Sequence, residues 1–155
     1  MVFTALLLLA GPADAAPSAP GFRVTTLDGR TIDSKGLIGQ KVIVLRFQAS
    51  YCKPCVKESA ALSQLAERYR ARNVEFIAIH VQDTTPDVRA FVEAQKPTYA
   101  VALDPRLNLG NRFGFQGTPY TVLINWKGEM AARSHGEGVV RALPRMLEAM
   151  LAQKP

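Results

Sequence analysis

The chain has 155 residues, a formal net charge of +6 and a mean hydropathy close to zero. These values fit one globular domain of ordinary size and exclude a disordered or low-complexity chain. Its arginines are dispersed and form no basic stripe interleaved with aromatic residues, so we interpret the positive charge as a solvated surface and exclude a nucleic-acid-binding protein.

The N-terminal segment has the character of an export signal. Its apolar run is followed by Ala13-Asp14-Ala15, the small-x-small pattern that signal peptidases cleave. The run is too short to span a bilayer comfortably, since a transmembrane helix needs about 20 apolar residues. It also lacks a preceding lysine or arginine. We therefore expect residues 1–15 to be a signal peptide or a short N-terminal anchor, and residues 16–155 to form one domain.

Strand and helix patterns alternate from there on. Residues 22–26 and 31–33 flank Asp28-Gly29, a dipeptide typical of tight hairpin turns. The continuous apolar run 42–45 predicts a strand that is covered on both faces. Across residues 53–72 the apolar side chains recur at helical spacing and charged side chains fill the opposite face, which predicts a long amphipathic helix.

The second half of the chain repeats this alternation. It contains a buried strand at 74–81, a helix at 85–95, a short strand at 99–103, a helical turn at Asp104-Pro105, strands at 120–126 and 130–134 around Lys127-Gly128, and a final apolar helical stripe at 143–151. This order predicts an α/β fold, with parallel strands where helices cross over and an antiparallel hairpin at the end.

Cys52 and Cys55, the only cysteines, stand where the first buried strand gives way to the long helix. The first helical turn has N–H groups without intrahelical partners, and with the macrodipole these stabilise an anion. We therefore predict that Cys52 becomes a thiolate with a pKa below that of an ordinary thiol. Lys53 adds a cation beside it, and Pro54 suits a first helical turn. A close pair of this kind is typical of a working redox couple.

A second motif, Gly117-Thr118-Pro119, lies far downstream of the Cys-Lys-Pro-Cys pair. Together they resemble thioredoxin-fold redox proteins, and more closely the exported disulfide reductases of the TlpA/ResA type. The resemblance runs from about residue 19 to the end and also rests on Ala19-Pro20-Gly21-Phe22, Leu27-Asp28-Gly29, Glu58, Asp104-Pro105 and Thr121-Val122-Leu123-Ile124. It implies a three-layer sandwich: a mixed central sheet flanked by helices, with an N-terminal hairpin and a central insertion.

The resemblance also implies a function. It describes an exported protein disulfide oxidoreductase, periplasmic or held at the outer face of the cytoplasmic membrane, with Cys52 and Cys55 as catalytic residues. Net reduction of protein partners is expected, in cytochrome c maturation or in maintaining another exported thiol protein. Pro119 is expected to be a cis-proline facing the disulfide, and Thr118 to offer its backbone to the substrate. A membrane thiol is a candidate electron donor, and we expect a monomer without cofactor or metal.

Three residues depart from the pattern of these reductases. Tyr51 replaces the usual tryptophan before the first cysteine, and Ala60 replaces a helix-kinking proline. Arg46 replaces a buried acid or asparagine, and a guanidinium cannot act as a base, so the proton of Cys55 needs another acceptor such as Glu58 or water. If the Arg46 cation lies near the sulfurs, it stabilises the thiolate and makes the couple more oxidising; alternatively, its head pairs with a carboxylate elsewhere. Glu58 itself is either a solvated helix residue or a proton relay.

Three other functions remain open. A copper carrier of the Sco type would use both cysteines with a histidine such as His135, although that family separates its cysteines by three residues. A peroxiredoxin-like peroxidase would need a Pro-x-x-x-Thr-x-x-Cys cradle, which is absent before Cys52. A purely structural disulfide is the third. His80 and His135 are expected to be surface or packing residues.

Overall fold

The computed structural model describes residues 15–155, so the predicted signal peptide or anchor falls outside them apart from Ala15. The described residues form seven strands and five helices: β1 (Arg23–Thr25), β2 (Thr31–Asp33), α1 (Ser34–Leu37), β3 (Val42–Gln48), α2 (Lys53–Arg70), β4 (Val74–Val81), α3 (Thr85–Gln95), β5 (Ala100–Asp104), α4 (Asn108–Arg112), β6 (Tyr120–Ile124), β7 (Met130–His135) and α5 (Val139–Leu151). Among these residues no helix is both long and apolar enough to cross a membrane.

The main sheet has the strand order β5-β4-β3-β6-β7 in the described part of the chain. β3 and β4 are parallel, as are β4 and β5, whereas β6 runs antiparallel to β3 and β7 antiparallel to β6. β1 and β2 form a separate antiparallel hairpin, and Gly29 in its turn has φ of +87°, a backbone angle that favours glycine. The predicted α/β fold, with its mixed sheet and N-terminal hairpin, is confirmed.

Two apolar cores cover the two faces of this sheet. Alternation along β3 sends Val42 and Val44 into one core, with side chains from α2, α3 and α5, and sends Ile43, Leu45 and Phe47 into the other, with the hairpin and α4. β3 is buried along its whole length and lies between β4 and β6 at the centre of the sheet. The chain leaves it at a fixed position and enters α2.

Predicted and observed boundaries differ in a few places. β3 continues through Arg46 and Gln48 because its ladder to β4 pairs Arg46 with Ala78 and Gln48 with His80. The short α1 was not predicted, and the helix after β5 begins at Asn108 instead of at the Asp104-Pro105 turn. β4 and α3 have the predicted bounds, because the apolar run 76–79 marks the strand and Thr85-Pro86-Asp87 marks the start of the helix.

We expect Leu147→Ala in α5 to lower the free energy of unfolding by about 2–5 kcal/mol, because Leu147 is fully buried and its truncation leaves a cavity. Arg145→Ala, on the exposed side of the same helix, is the matched control and should change the value by no more than about 0.5 kcal/mol. Urea denaturation followed by the fluorescence of Trp126, the only tryptophan, measures both. Equal losses in the two variants would contradict the described packing of α5.

Candidate functional site

The site begins where β3 ends and α2 starts. Four residues separate the two elements, and the last of them, Cys52, is the N-cap of α2 with extended backbone angles. Its Sγ accepts the backbone N–H of Cys55 at 3.2 Å, and its own N–H donates to Ala49 O at 3.2 Å. Pro54 occupies the first turn, where its missing N–H costs no helical hydrogen bond. The sulfur of Cys52 therefore lies at the positive end of the helix.

Cys52 and Cys55 form a disulfide, with their Cα atoms 5.2 Å apart. Both are largely buried together with Ala49, but Cys52 is 5% exposed and Cys55 only 1%. Cys52 is therefore the more exposed residue of the pair. The structure thus brings together the two cysteines that the sequence singles out, in the oxidised state.

The surface around this disulfide is aromatic and cationic. Tyr51 is 60% exposed, and Lys53 and Lys57 on the first turns of α2 are exposed as well. Partial burial, and secondarily the Asp83 carboxylate, raise the pKa of Tyr51, so its hydroxyl stays protonated at neutral pH. A flat aromatic ring flanked by lysines suits contact with a protein partner.

The Gly117-Thr118-Pro119 segment lies at the same end of the sheet. Because Phe47 pairs with Tyr120, Pro119 stands beside the end of β3, from which the chain continues to Cys52. The Thr118–Pro119 peptide bond is cis, and Pro119 O accepts the N–H of Gly136 at 2.8 Å. Gly117 has φ of +129°, and a Cβ there would lie 3.0 Å from His135 Nε2. Glycine is therefore required in this loop, and His135 packs against it.

Arg46, the departure noted in the sequence, forms a buried ion pair with Glu58. Its side chain is 1% exposed, Nη2 donates to Glu58 Oε2 at 2.5 Å, and Nη1 donates to Thr121 Oγ1 at 3.3 Å. The other carboxylate oxygen of Glu58 accepts the N–H of Gly138 at 2.7 Å. Of the two arrangements considered for Arg46, the structure contains the ion pair.

This pair changes the interpretation of Glu58. Its side chain is only 13% exposed, so the interpretation as a solvated helix residue is wrong. Glu58 lies one helical turn beyond Cys55, but both of its oxygens already accept hydrogen bonds. It can take the Cys55 proton only by weakening one of them. The carboxylate of Glu58 in turn compensates the positive charge of Arg46.

A second buried polar group was not foreseen from the sequence. His80 is completely buried, with Nδ1 at 2.8 Å from Asp83 Oδ2 and Nε2 at 2.9 Å from Gln48 Nε2. Asp83 in turn accepts two hydrogen bonds from Ser50, which precedes the cysteines. The sequence did contain an indication of this group, because polar residues interrupt the apolar pattern near the ends of two buried strands: Arg46 and Gln48 on β3, and His80 on β4.

Among residues 15–155, no three His, Cys, Asp or Glu side chains are arranged to hold a metal ion.

Comparison with known proteins agrees with this geometry. Residues 15–133 match the AhpC/TSA family. The thiol-disulfide oxidoreductase ResA of Bacillus thuringiensis (strain Al Hakam) is 34% identical over 119 residues, covering 77% of this chain and 68% of the relative. ResA of a Bacillus cereus strain is 32% identical over 130 residues, covering 84% and 75%.

A solved structure gives the same result. The thiol:disulfide interchange protein of the thioredoxin family from Chlorobium tepidum TLS superposes with a TM-score of 0.80 at 27% identity, over 90% of this chain and 99% of that one. The resemblance to thioredoxin-fold, ResA-type redox proteins that the sequence indicated is therefore confirmed.

Removing either charge of the Arg46–Glu58 pair should shift the reduction potential of the cysteines in opposite directions. Glu58→Gln leaves an uncompensated cation that stabilises the thiolate, so we expect the potential to rise by about 10–30 mV. Arg46→Asn leaves the carboxylate and should lower the potential by a similar amount. Equilibration with glutathione buffers measures both shifts. The double variant is the control and should lie near the wild type, whereas single-variant shifts of the same sign would show that the pair does not act through its charges.

Proposed function

This chain belongs to the AhpC/TSA family and is a thiol-disulfide oxidoreductase, and from that premise we propose that it is an exported reductase of protein disulfides. The observation that carries the proposal is the disulfide between Cys52 and Cys55 at the N-terminus of α2, where Cys52 is both the cap of the helix and the more exposed of the two cysteines. A thiolate in this position is stabilised by the first helical turn and is the reactive form of cysteine.

We assign the attacking role to Cys52 and the resolving role to Cys55. The Cys52 thiolate attacks one sulfur of the partner disulfide, forming a mixed disulfide and releasing the other partner sulfur as a thiolate. The Cys55 thiolate then attacks Cys52 Sγ, which releases the second partner sulfur. The partner gains two electrons and two protons, and this chain keeps the Cys52–Cys55 disulfide. The near-complete burial of Cys55 supports this order, since it leaves Cys55 accessible chiefly to its neighbouring cysteine.

The partner is a protein that carries a disulfide, and it needs a surface on which to dock. We assign this contact to the exposed Tyr51 and Lys53 and to the half-buried Thr118, with the buried Pro119 directly after it, because they lie at the end of the sheet where the disulfide is placed. An extended partner segment beside Thr118 would pair with its backbone, as added strands do in other complexes. Reduction of the Cys52–Cys55 disulfide by a dithiol donor, for which a membrane thiol protein is the candidate, completes the cycle.

Export is the part of the proposal that rests on the sequence alone. The apolar run and Ala13-Asp14-Ala15 lie in or next to the segment that the structure leaves undescribed. A protein disulfide is formed and needs reduction chiefly in oxidising compartments, which is where an exported reductase finds substrates. Whether residues 1–15 are cleaved or retained as an anchor does not change the chemistry.

The reduced wild-type protein should reduce insulin disulfides, and Cys52→Ser should abolish the activity, because no attacking thiolate remains. Cys55→Ser should also lose turnover but should accumulate stable mixed disulfides, since the resolving thiol is missing. Non-reducing gels and mass spectrometry of these adducts identify the partners. A wild-type protein that leaves insulin oxidised while consuming peroxide rapidly would favour a peroxidase over a disulfide reductase.

Residues 1–20 fused to a reporter enzyme that needs disulfides should place the reporter outside the cytoplasm, because the apolar run engages the export machinery. Replacing Leu7 and Leu8 with arginine interrupts the run and should retain the reporter in the cytoplasm. Enzyme activity in separated cell fractions measures both. Cytoplasmic retention of the unaltered fusion would remove export from the proposed function and leave the oxidoreductase chemistry unaffected.

A further inference from the structure

A row of buried polar side chains lies beneath the loop that precedes Cys52, and the exchange chemistry described above does not use it. The row consists of Gln48 at the end of β3, His80 near the end of β4 and Asp83 just after β4. The side chains of His80 and Asp83 are 0% and 1% exposed, and Gln48 is completely buried as well. Buried polar groups of this kind are costly unless they are hydrogen-bonded, so their pairing has to be accounted for.

The partners of His80 define its protonation. Nδ1 faces a carboxylate oxygen of Asp83 at 2.8 Å and Nε2 faces the amide nitrogen of Gln48 at 2.9 Å. A neutral ring with its proton on Nδ1 satisfies both contacts, donating to Asp83 and accepting from Gln48. Burial lowers the pKa of His80, against the opposing effect of Asp83, which agrees with a neutral ring at pH 7. Phe91 packs edge-on against the imidazole with the ring centroids 4.8 Å apart, so the ring has little freedom to turn.

Asp83 connects His80 to the active-site loop through hydrogen bonds. Its Oδ2 accepts the backbone N–H of Ser50 at 2.7 Å, and its Oδ1 accepts the Ser50 hydroxyl at 2.6 Å. Ser50 lies within the turn that Cys52 N–H closes onto Ala49 O. With the contact from His80, the carboxylate accepts three hydrogen bonds, and two of them come from the residue that fixes this turn. The loop is therefore tied to the sheet core through one buried carboxylate.

The hydrogen bonds between Ser50 and Asp83 matter most when the disulfide is reduced. In the oxidised protein the covalent bond to Cys55 restrains Cys52. In the reduced protein that restraint is gone, and the sulfur keeps its place at the helix N-terminus only if the preceding turn is held by other contacts. The stabilisation that a helix gives to an anion falls off within its first turn, so a small displacement of Cys52 weakens it.

We propose that His80 and Asp83 are positioning residues of the disulfide exchange, which hold the Ala49–Cys52 turn so that the Cys52 thiolate stays at the N-terminus of α2 when the disulfide is open. The inference rests on the proposed role of Cys52 as the attacking thiolate. His80 orients Asp83, Gln48 fixes the tautomer of His80, and of these three side chains only Asp83 hydrogen-bonds to the loop. Neither His80 nor Asp83 exchanges a proton with the cysteines in this scheme.

Asp83→Ala and Asp83→Asn separate positioning from charge, because both remove the negative charge. Asparagine can still accept from Ser50 N–H and His80 Nδ1–H through its oxygen, and donate to the Ser50 hydroxyl, which is free to rotate. Alanine can do neither. We expect Cys52 in the reduced Asp83→Ala protein to be alkylated by iodoacetamide at pH 7 about five-fold more slowly than in Asp83→Asn, with a correspondingly higher thiol pKa in the pH profile. Asp87→Ala, an exposed acid on α3, is the outer control and should match the wild type.

The free energy of unfolding of each variant is measured by urea denaturation, in addition to the alkylation rate of Cys52. If Asp83→Ala is less stable than Asp83→Asn but shows the same Cys52 pH profile, the role of Asp83 is structural and the proposal is overturned. If Asp83→Ala does not fold, Ser50→Ala decides, since it removes only the hydroxyl contact on the partly exposed side. Slower alkylation of Ser50→Ala, restored in Ser50→Thr, supports the proposal, and a rate equal to the wild type overturns it.

Insulin reduction by the wild-type protein keeps the two proposals apart. An inactive wild type with a reactive Cys52 removes the proposed function and leaves the positioning role in place. An active wild type whose Cys52 profile is the same in Asp83→Ala and Asp83→Asn removes the positioning role and leaves the function in place.

Discussion

The structure depends on one transition, in which a strand buried on both faces passes directly into the N-terminus of a long helix. β3 is held by ladders on both sides up to Phe47 and by an apolar core on each face, and its last residue Gln48 still pairs with His80 of β4. α2 is fixed by its own buried stripe and by its packing against α5. The short turn between them places Cys52 at the helix cap, where the N–H of Cys55 donates to its sulfur. The reactivity of the protein follows from this geometry.

The same end of the sheet is also where the core stops being apolar. On the face that α2 covers, β3 changes from Val42 and Val44 to Arg46 and Gln48, and β4 changes from Phe76 and Ala78 to His80. Arg46 pairs with Glu58 on α2, and His80 lies between Gln48 on β3 and Asp83 just after β4. A buried charge that lacks a partner is strongly destabilising, so these pairs have to form together with the fold.

The sequence predicted the fold and the cysteine pair because both are local patterns. The apolar run 76–79 indicated β4, Thr85-Pro86-Asp87 indicated the start of α3, and the position of Cys52 and Cys55 at a strand-to-helix junction indicated the redox site. β3 was predicted too short because Arg46 and Gln48 interrupt its apolar run, although the backbone ladder continues past them. The partners of Arg46 and His80 could not be read from the sequence, since pairing of buried polar groups depends on which side chains the fold brings together. His80 has the appearance of an ordinary packing histidine until Gln48 and Asp83 are seen on either side of it.

The two polar pairs reach the cysteines from different directions, and this separates their effects. Glu58 follows Cys55 by one turn of α2, so the charge balance of its pair with Arg46 bears on the resolving side of the site. Asp83 holds Ser50, which precedes Cys52, so its contacts bear on the attacking side. The Arg46–Glu58 pair can alter the relative stability of thiolate and disulfide through its charges, without moving the backbone. The hydrogen bonds of Asp83 instead hold the turn that keeps the Cys52 sulfur at the N-terminus of α2. The two pairs can therefore be altered one at a time by substitution, because no side-chain hydrogen bond joins them among the described residues.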